Sequence, residues 1–434
     1  MTHQPVIIPR AEHNISRKDI SEPALKVLYR LKKAGYAAYL VGGGVRDLLL
    51  GKHPKDFDVA TDASPEEVRA LFSNCRLIGR RFRLAHVHFG REIIEVATFR
   101  GHHENGEGEG VVENGMILRD NVYGTVEEDA MRRDFTVNAL YYNIADFSVV
   151  DYTGGLQDLK QHKLRLIGDP MVRFKEDPVR MLRAIRFAAK LEFQLHETID
   201  RLIAEQGKLL ANVPAARLFD EILKLFLSGH GVSAYHLLKE HDLLQYLFPL
   251  TSPLLKDDDY SDRFISQALA NTDTRIQQDK PVTPAFLFAA LLWLPVRQQA
   301  GLLQQQGMTP LQAMQVAGDD ITREQVSYVT LPKRFSFPMR EIWINQVRLE
   351  MRRGKRALRL LQQPRFRASY DFLLLRNQAG ESLQELCDWW TAFQEQSDEQ
   401  QRQMINQLNK GQGQGKKRRR RSRKKNSARK SSAS

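Results

Sequence analysis

Residues 39–62, YLVGGGVRDLLLGKHPKDFDVATD, constrain the fold of this 434-residue chain more than any other stretch. The apolar residues 37–41 predict a buried strand, and the three glycines that follow allow a sharp backbone turn. Residues 45–50 fit a short helix, and Gly51 lies where such a helix would end. A second strand with two aspartates comes next. The stretch therefore predicts strand, glycine turn, helix and strand in close succession.

The two aspartates of the second strand are Asp56 and Asp58, which the period-two repeat of a strand places on one face, with Phe57 in the core. Paired carboxylates stay ionised most easily around a cation, and Mg²⁺ binds one or two carboxylates together with substrate phosphates. A glycine turn at a helix N-terminus binds phosphate. The combination predicts phosphoryl or nucleotidyl transfer. Either half alone would instead favour a surface turn followed by a charged strand edge.

Two common phosphate-binding motifs do not fit this stretch. It lacks the Lys and Ser/Thr of G-x-x-x-x-G-K-[ST], and Asp47 occupies the third glycine position of G-x-G-x-x-G. The stretch instead resembles the GG-x-VRD-x-L-L-G turn and D-x-D strand of the nucleotidyltransferase family that contains bacterial poly(A) polymerases and CCA-adding enzymes. The resemblance implies an α+β protein with a polymerase-beta-like head, in which Gly43 and Arg46 bind the triphosphate and Asp56 and Asp58 bind metal.

A second part of the resemblance is RRDFTVNAL at 132–140, which is similar to the RRDFT-x-N-A-L motif of the family. The resemblance implies that Asp134 is the third catalytic acid and that Arg133 contacts the nucleotide. From pattern alone, residues 135–142 form an apolar strand, and Asp134 would be the end of the helix before it, with a surface ion pair. Glu95, on the predicted strand 93–99, is the alternative third carboxylate; it could equally be the partner of a nearby arginine.

The helix that begins at EDPVRMLR, residues 176–183, has Asp177 as its predicted N-cap and Pro178 at its first position. Arg180 and Arg183 are neighbours on its surface. The pattern alone favours a capped helix with a solvated basic face. The family's E-D-x-x-R motif aligns here, and it implies that Arg180 and Arg183 bind the nucleotide, with Asp177 near the base.

The remaining patterns divide the chain. We predict a flexible arm over 1–19, the catalytic head over 20–155, a helical neck over 156–250 that binds nucleotide and RNA, and a helical body over 251–410. Within the body, arginines 348, 352, 356 and 359 follow a helical spacing near Phe366 and Tyr370. Such a stripe suits single-stranded RNA and suits a solvated helix face equally well. Residues 411–434 form a predicted disordered Lys/Arg-rich tail.

Charge and cysteine content indicate where the basic residues are concentrated and which compartment the protein occupies. The net charge is +13, but the tail alone contains eleven Lys and Arg and no acid, which leaves +2 for the rest. The two cysteines are too few for a disulfide framework and suggest a reducing cytoplasm. The N-terminus lacks the apolar segment of a signal peptide, and no apolar run is long enough to span a membrane.

The resemblance implies template-independent transfer of AMP from ATP to single-stranded RNA 3′ ends, with Mg²⁺ as the cofactor and Mn²⁺ as its alternative. We expect a monomer that acts with RNA-decay proteins in RNA and mRNA processing. Resemblance at residues 79–90 and the Arg-rich tail favour the poly(A) polymerase branch over a CCA-adding tRNA nucleotidyltransferase. A non-catalytic RNA-binding protein on the same fold is the alternative of another class.

Overall fold

The computed structural model describes residues 4–79, 83–101, 107–113, 116–256 and 259–408. The predicted tail at 411–434 lies outside the described residues. The chain divides into two compact units, one of residues 1–213 with 240–243 and the other of residues 214–239 with 244 onward. The first unit is a mixed sheet with helices and the second is helical, so the α+β architecture is confirmed.

The first unit contains all the described strands: β1 (Val6–Ile8), β2 (Ala38–Val41), β3 (Asp58–Thr61), β4 (Cys75–Ile78), β5 (Leu84–Phe89), β6 (Glu92–Thr98), β7 (Glu107–Glu113), β8 (Met116–Tyr123), β9 (Leu140–Asn143), β10 (Val149–Asp151), β11 (Lys163–Leu164) and β12 (Gln194–Leu195). Its helices are α1 (Glu22–Lys33), α2 (Gly43–Leu49), α3 (Pro65–Leu71), α4 (Val126–Arg132), α5 (Gly155–Lys160), α6 (Pro170–Glu176), α7 (Val179–Leu191) and α8 (Glu197–Gln206).

The main sheet has eight strands in the order β1-β10-β9-β2-β3-β6-β5-β4. Strand β3 lies near its centre, antiparallel to β2 and parallel to β6. Its apolar residues Val59 and Ala60 are fully buried, as expected for a central strand. The strand that begins at Asp58 is therefore fixed on both sides, and this rigid frame positions the site described below.

Three local predictions need correction. Residues 6–8 of the predicted flexible arm form edge strand β1, paired with β10, and Ile15 is buried, because apolar side chains in this segment add to the core. Strand β3 begins at Asp58, so Asp56 precedes it in irregular backbone. The apolar segment after Asp134 does not start as a strand, since residues 136–138 form a 3₁₀ turn before β9.

The connection from β10 into α5 depends on the close approach of Gly155 to the 3₁₀ turn. Asp151 accepts hydrogen bonds from the backbone N–H groups of residues 153–156, which holds the helix start in place. A Cβ added at Gly155 would lie 2.2 Å from the carbonyl oxygen of Thr136. No flexible side chain can relieve this overlap, because the obstacle is backbone.

We therefore expect Gly155→Ala to lower the free energy of unfolding by about 1–3 kcal/mol, the usual cost of overpacking. Urea denaturation followed by circular dichroism measures the change. Gly301→Ala is the control: a Cβ there meets nothing within 4 Å on a helix, so alanine should be neutral or stabilising. An unchanged denaturation midpoint for Gly155→Ala would contradict the close approach.

The second unit consists of helices α9 (Ala215–Phe226), α10 (Gly231–Glu240), α11 (Leu244–Leu247), α12 (Asp259–Gln277), α13 (Pro284–Leu291), α14 (Trp293–Gln305), α15 (Pro310–Gln325), α16 (Lys333–Glu350), α17 (Arg356–Leu361), α18 (Phe366–Gln378) and α19 (Gln384–Glu395). In the described part of the chain, no single helix is long and apolar enough to cross a membrane; α13 and α14 pass such a test only as a pair bent by 56°.

The predicted arginine stripe is not one helix face. Arg348 belongs to α16, Arg352 lies between helices, and α17 carries the two remaining arginines. Phe366 and Tyr370 are only 6% and 4% exposed and pack in the core with Trp390, so they are not available to stack on bases. Their apolar spacing reflects core packing within α18.

Candidate active site

The carboxylate pocket is a cavity of about 570 Å³ on the first unit, at the start of β3. It is lined by Lys55, Asp56, Phe57, Asp58, His86, Arg91, Glu92, Ile93 and Glu95. Phe57 is 7% exposed, which confirms its predicted core position. Although Asp56 lies before the strand, it lines the same cavity as Asp58. The two aspartates therefore lie together, as predicted, even though β3 begins at Asp58 rather than before Asp56.

Asp58 is the most perturbed carboxylate of the pocket. It lies opposite Glu95 in the parallel pairing of β3 with β6 and opposite Val41 in the antiparallel pairing with β2. Burial, together with the negative charges of Glu95 and Asp56, raises the pKa of Asp58 to about 6, and the nearby Arg133 opposes this rise. Like charges that share a desolvated site favour a bound cation, because the cation removes their repulsion.

Glu95 is placed beside Asp58, whereas Asp134 lines a different cavity. The Oε1 atom of Glu95 lies 3.4 Å from Nε2 of His86 on the adjacent strand β5. Of the arginines considered as partners for Glu95, Arg83 instead pairs with Glu66 at 2.7 Å, and Arg80 and Arg81 lie outside the described residues. Four carboxylates, those of residues 56, 58, 92 and 95, thus line one pocket, and Glu95 is the one that lies directly opposite Asp58.

This donor set fits a divalent cation. Within the described ranges, no three or more Asp, Glu, His or Cys side chains are already arranged to hold a metal ion. Mg²⁺ does not require such a cage, since it keeps several waters and takes other ligands from substrate phosphates. A pair of carboxylates under mutual repulsion is the protein contribution that such an ion needs.

The glycine turn separates Asp58 from Arg133. Gly42 has φ +70°, and a Cβ added there would lie 3.4 Å from Nη1 of Arg133 and 4.0 Å from Oδ2 of Asp58. Any side chain at this position would be strained and would stand between the carboxylate and the guanidinium. The turn therefore keeps an acidic group and a basic group close together without a side chain between them.

Gly43 begins helix α2, two residues earlier than predicted. Arg46 lies in the same helix and is buried beside the glycine turn. Arg46 is 2% exposed and donates to Oδ1 of Asp47 at 2.8 and 2.6 Å and to Oδ1 of Asn138 at 2.6 Å. Its guanidinium also lies 5.5 Å from the Phe187 ring centroid. These contacts show Arg46 bonded to protein groups beside the turn.

The arginine pocket is a second cavity on the first unit, with a volume of about 270 Å³. Five arginines and three aspartates line it: Arg100, Asp129, Arg132, Arg133, Asp134, Asp177, Arg180 and Arg183. It brings together all the site residues that the sequence predicts in the RRD and EDxxR motifs. The excess of positive charge suits a polyanionic ligand.

Asp134 anchors Arg183 within this pocket. Nε of Arg183 donates to Oδ2 of Asp134 at 2.8 Å and the terminal nitrogen Nη2 bonds the same oxygen, while the Phe135 backbone N–H donates to Oδ1 at 2.8 Å. Burial alone would raise the pKa of Asp134, but the Arg183 charge and these hydrogen bonds outweigh it and lower the pKa to about 2. Asp134 is therefore ionised and paired with an arginine.

The EDxxR segment differs from its prediction at two residues, and one of them is Pro178, which occupies the N-cap position of α7 rather than its first helical position. Asp177 ends α6 as its C-cap, and α7 begins at Val179 without a side-chain cap, because Asp177 sits at the junction of two short helices. Arg180 points back toward α6, where its Nη1 donates to the carbonyl of Arg173 at 2.6 Å and to Glu176 at 3.0 Å. Both Asp177 and Arg180 still line the arginine pocket.

Several residues of the site were missed from the sequence: Asp129, Asn138, Tyr141 and Arg173. Asp129 of α4 and Arg133, the residue that follows this helix, are four apart, which is a usable signal for an ion pair, and Nη2 of Arg133 lies 3.0 Å from Oδ2 of Asp129. The contact made by Asn138 depends on the 3₁₀ turn, which no local pattern indicated, and the contact made by Tyr141 depends on which face of β9 it occupies.

Comparison with known families covers most of the chain. The family described as "Poly A polymerase head domain" matches residues 38–165, and "Probable RNA and SrmB- binding site of polymerase A" matches 192–255. "Polymerase A arginine-rich C-terminus" matches 306–425. These three regions follow one another in the order head, RNA-binding segment and arginine-rich end.

Comparison with individual relatives agrees with these family matches. Poly(A) polymerase I of Salmonella typhimurium is 53% identical over 93% of this chain and 88% of its own length. A CCA-adding enzyme of Lactobacillus helveticus is 38% identical, over 52% of this chain and 55% of its own length. A solved structure of a CCA-adding enzyme in an apo form shares the fold, with a TM-score of 0.62 at 20% identity over 89% of this chain and 86% of that one. The chain belongs to the family of bacterial poly(A) polymerase I.

Proposed function

We propose that this chain is an RNA adenylyltransferase, which transfers AMP from ATP to RNA 3′ ends without a template. The observation that carries this function is family membership, through relatives named poly(A) polymerase I at 53% identity across 93% of the chain. The geometry agrees with it, since a pocket of carboxylates and a pocket of arginines flank one glycine turn.

The carboxylate pocket is the proposed centre for the reaction. In nucleotidyl transfer, the RNA 3′-hydroxyl attacks the α-phosphate of ATP and pyrophosphate leaves. Asp56 and Asp58 would hold magnesium, with Glu95 as the third carboxylate, and the bound metal would lower the pKa of the attacking hydroxyl and neutralise the triphosphate. Asp58 is the central ligand in this proposal, because it lies between the other carboxylates and the glycine turn.

The arginine pocket is the proposed nucleotide site. Arg133, Arg180 and Arg183 would bind the phosphates, ribose and base of ATP, with Asp177 near the base. Gly43 would offer its backbone N–H to the triphosphate. We propose that Asp134 acts in this site as the anchor of Arg183 and that Arg46 stabilises the wall through Asn138, because both side chains are already engaged there.

Primer extension with single nucleotides tests the function. An RNA with an unstructured 3′ end is incubated with magnesium and each of the four NTPs separately. The proposal predicts a long ladder with ATP alone. A product that stops within three additions and requires CTP would instead indicate a CCA-adding enzyme, whose curated relatives match only about half of the chain. RNA binding without extension would leave a non-catalytic RNA-binding protein.

The RNA strand itself is proposed to contact a basic surface formed by Arg353, Lys355, Arg356 and Arg359. Residues 351–370 contain seven Lys and Arg and no acid, and these four side chains are exposed. The surface is rigid, because Ala357 and Leu360 of helix α17 are buried in the core of the second unit. Exposed cations on a fixed frame attract RNA phosphates.

Changing Lys355, Arg356 and Arg359 together to Gln should weaken binding of single-stranded RNA and reduce the slope of log K against log salt by roughly 0.7 for each phosphate that the variant no longer neutralises. Fluorescence anisotropy across a salt series measures both. The control changes three exposed lysines on α1, Lys26, Lys32 and Lys33, to Gln, which removes the same charge elsewhere. Equal slopes for both triple variants would contradict this RNA surface.

We further propose that the protein acts as a monomer in the cytoplasm and takes part in RNA decay with protein partners. The two cysteines are unpaired in the structure, Cys75 partly exposed and Cys387 buried, which suits a reducing compartment. The match to the family described as an RNA and SrmB binding site, at residues 192–255, supports contact with RNA and with partner proteins in that region.

A further inference from the structure

Arg133 is held by two buried groups that sequence patterns do not connect to nucleotide binding. Its Nε donates to the hydroxyl of Tyr141 at 2.9 Å and to Oδ2 of Asp129 at 3.2 Å, and its Nη2 donates to the same carboxylate oxygen at 3.0 Å. The Tyr141 hydroxyl donates in turn to that oxygen at 2.6 Å. Arg133, Asp129 and Tyr141 thus form a closed ring of hydrogen bonds.

The two groups that hold Arg133 are buried in the first unit. Asp129 is 5% exposed, and Tyr141 is fully buried in an apolar cluster with Val41 and Phe99. Burial raises the pKa of the Tyr141 hydroxyl well above its usual value, so it stays protonated as a donor. The Arg133 charge and the Tyr141 hydrogen bond overcome burial and lower the pKa of Asp129, so this carboxylate stays ionised.

The backbone of Arg133 is fixed as well. Nη2 of Arg173 on α6 donates to the carbonyl oxygens of Arg132 and Arg133, both at 2.7 Å. The Arg173 side chain is 12% exposed and also pairs with Glu176 at 2.9 Å. Arg133 is therefore held at its main chain by one element and at its guanidinium by two others.

The side of the guanidinium that faces the ligand is determined by this arrangement. Asp129 and Tyr141 take up Nε and one side of Nη2, whereas Nη1 has a longer contact of 3.5 Å to the Asn138 carbonyl and faces Gly42. An arginine with five donors could otherwise present several edges to a phosphate. The ring selects the Nη1 edge, which lies beside the glycine turn and near Asp58.

We propose that Asp129 and Tyr141 are positioning residues for nucleotide binding: they orient Arg133 so that its Nη1 edge meets the triphosphate of ATP. This inference rests on the proposed function and deepens it. Neither residue touches the nucleotide. Their effect on affinity passes through Arg133, because preorganised donors bind a charged group without a further cost of ordering.

The experiment is a double-mutant cycle on nucleotide affinity. Tyr141→Phe removes the hydroxyl that bonds Arg133 and Asp129, and it keeps the buried aromatic side chain in place. The dissociation constant of a non-transferable ATP analogue with magnesium is measured by titration calorimetry for the wild type, Tyr141→Phe, Arg133→Met and the double variant. We expect Tyr141→Phe to weaken binding about fivefold to tenfold, and to have no further effect once Arg133 is Met. Asp129→Asn should behave in the same way with a larger decrease in affinity.

Tyr152→Phe is the matched control, since Tyr152 packs against the same apolar cluster as Tyr141; its affinity for the analogue should be unchanged. Melting temperatures of all variants show whether they fold. An equal decrease in affinity for Tyr141→Phe with and without Arg133 would overturn the positioning role, as would unchanged affinity in Tyr141→Phe. A wild-type protein that binds no ATP analogue would overturn the proposed function itself and this inference with it.

Discussion

Asp58→Asn is expected to lower the rate of AMP transfer by about 10³-fold or more, the scale seen when a central charged group of an active site is removed. Asp58 lies between Glu95 and the glycine turn, so the substitution removes the carboxylate that both pockets approach. Asparagine has nearly the same size and shape as aspartate, so the packing around residue 58 should be preserved. Single-turnover extension of a labelled RNA with ATP measures the rate.

The same substitution should stabilise the metal-free protein. Because the folded-state pKa of Asp58 is raised to about 6, the folded protein binds this proton more tightly than the unfolded chain does. Stability from this group is fully present below the ordinary pKa near 4 and is lost as the pH rises through 6. At pH 7.5 the ionised Asp58 costs on the order of 2–3 kcal/mol, which asparagine would relieve.

The measurement is the free energy of unfolding of the wild type and Asp58→Asn between pH 4 and 8, in chelator. Glu92→Gln serves as the control, since Glu92 lines the same pocket but does not lie opposite Asp58. The two curves for wild type and Asp58→Asn should meet near pH 4, diverge between pH 4 and 6, and stay a constant distance apart above that range. If Asp58→Asn retained its activity, the carboxylate pocket would not be the reaction centre. If the variant was less stable than the wild type at pH 7.5, the raised pKa of Asp58 would be contradicted.

Asp134→Asn is expected to have the second-largest effect, and to weaken nucleotide binding rather than metal binding. The substitution removes the carboxylate charge that pairs with Arg183 in a half-buried site, so we expect the free energy of unfolding to fall by about 1–3 kcal/mol. Arg183 would also lose its fixed orientation. The KM for ATP should therefore rise at least about tenfold, with a smaller effect on the dependence on magnesium concentration.

The pH dependence of Asp134 runs opposite to that of Asp58. Its folded-state pKa is lowered to about 2, so its stabilising contribution is present above the ordinary pKa near 4 and is lost as the pH falls toward 2. Wild-type protein should lose this contribution on acidification, whereas Asp134→Asn has none to lose. Thermal denaturation between pH 2 and 5 compares the two.

Glu95→Gln distinguishes the two candidates for the third carboxylate. If Glu95 takes that role, its variant should need more magnesium for half-maximal activity and keep its KM for ATP at saturating metal, while Asp134→Asn shows the reverse pattern. A magnesium requirement that shifts in Asp134→Asn and not in Glu95→Gln would restore Asp134 to the metal site.

The frame of the site could be predicted because its determinants are local. The strand, glycine turn and helix at residues 38–49 each follow from short patterns, and the buried Phe57 follows from the repeat of a strand. The α+β architecture was predictable for the same reason. The candidate residues of the motifs also lie together, in the two pockets on the first unit and at the glycine turn beside them.

The partners of those residues could not be predicted, because they depend on contacts far apart in sequence. Asp134 is bonded by Arg183, which is 49 residues away, and Arg46 is bonded by Asn138, which is 92 residues away. An aspartate beside two arginines looks the same in sequence whether it binds metal or anchors an arginine. Burial was also beyond local prediction. Phe366 and Tyr370 are buried, although aromatic residues near basic ones at helical spacing look the same in sequence whether they belong to the core or to the surface.

The most direct test of the adenylyltransferase account counts the products of one reaction. Wild-type protein is incubated with ATP, magnesium and RNA, and AMP incorporated into RNA is compared with pyrophosphate released. We predict equal amounts of both, a dependence on RNA with a free 3′-hydroxyl, and neither product with Asp58→Asn. Release of orthophosphate and ADP instead, or pyrophosphate release without incorporation, would contradict transfer of AMP to RNA by this site.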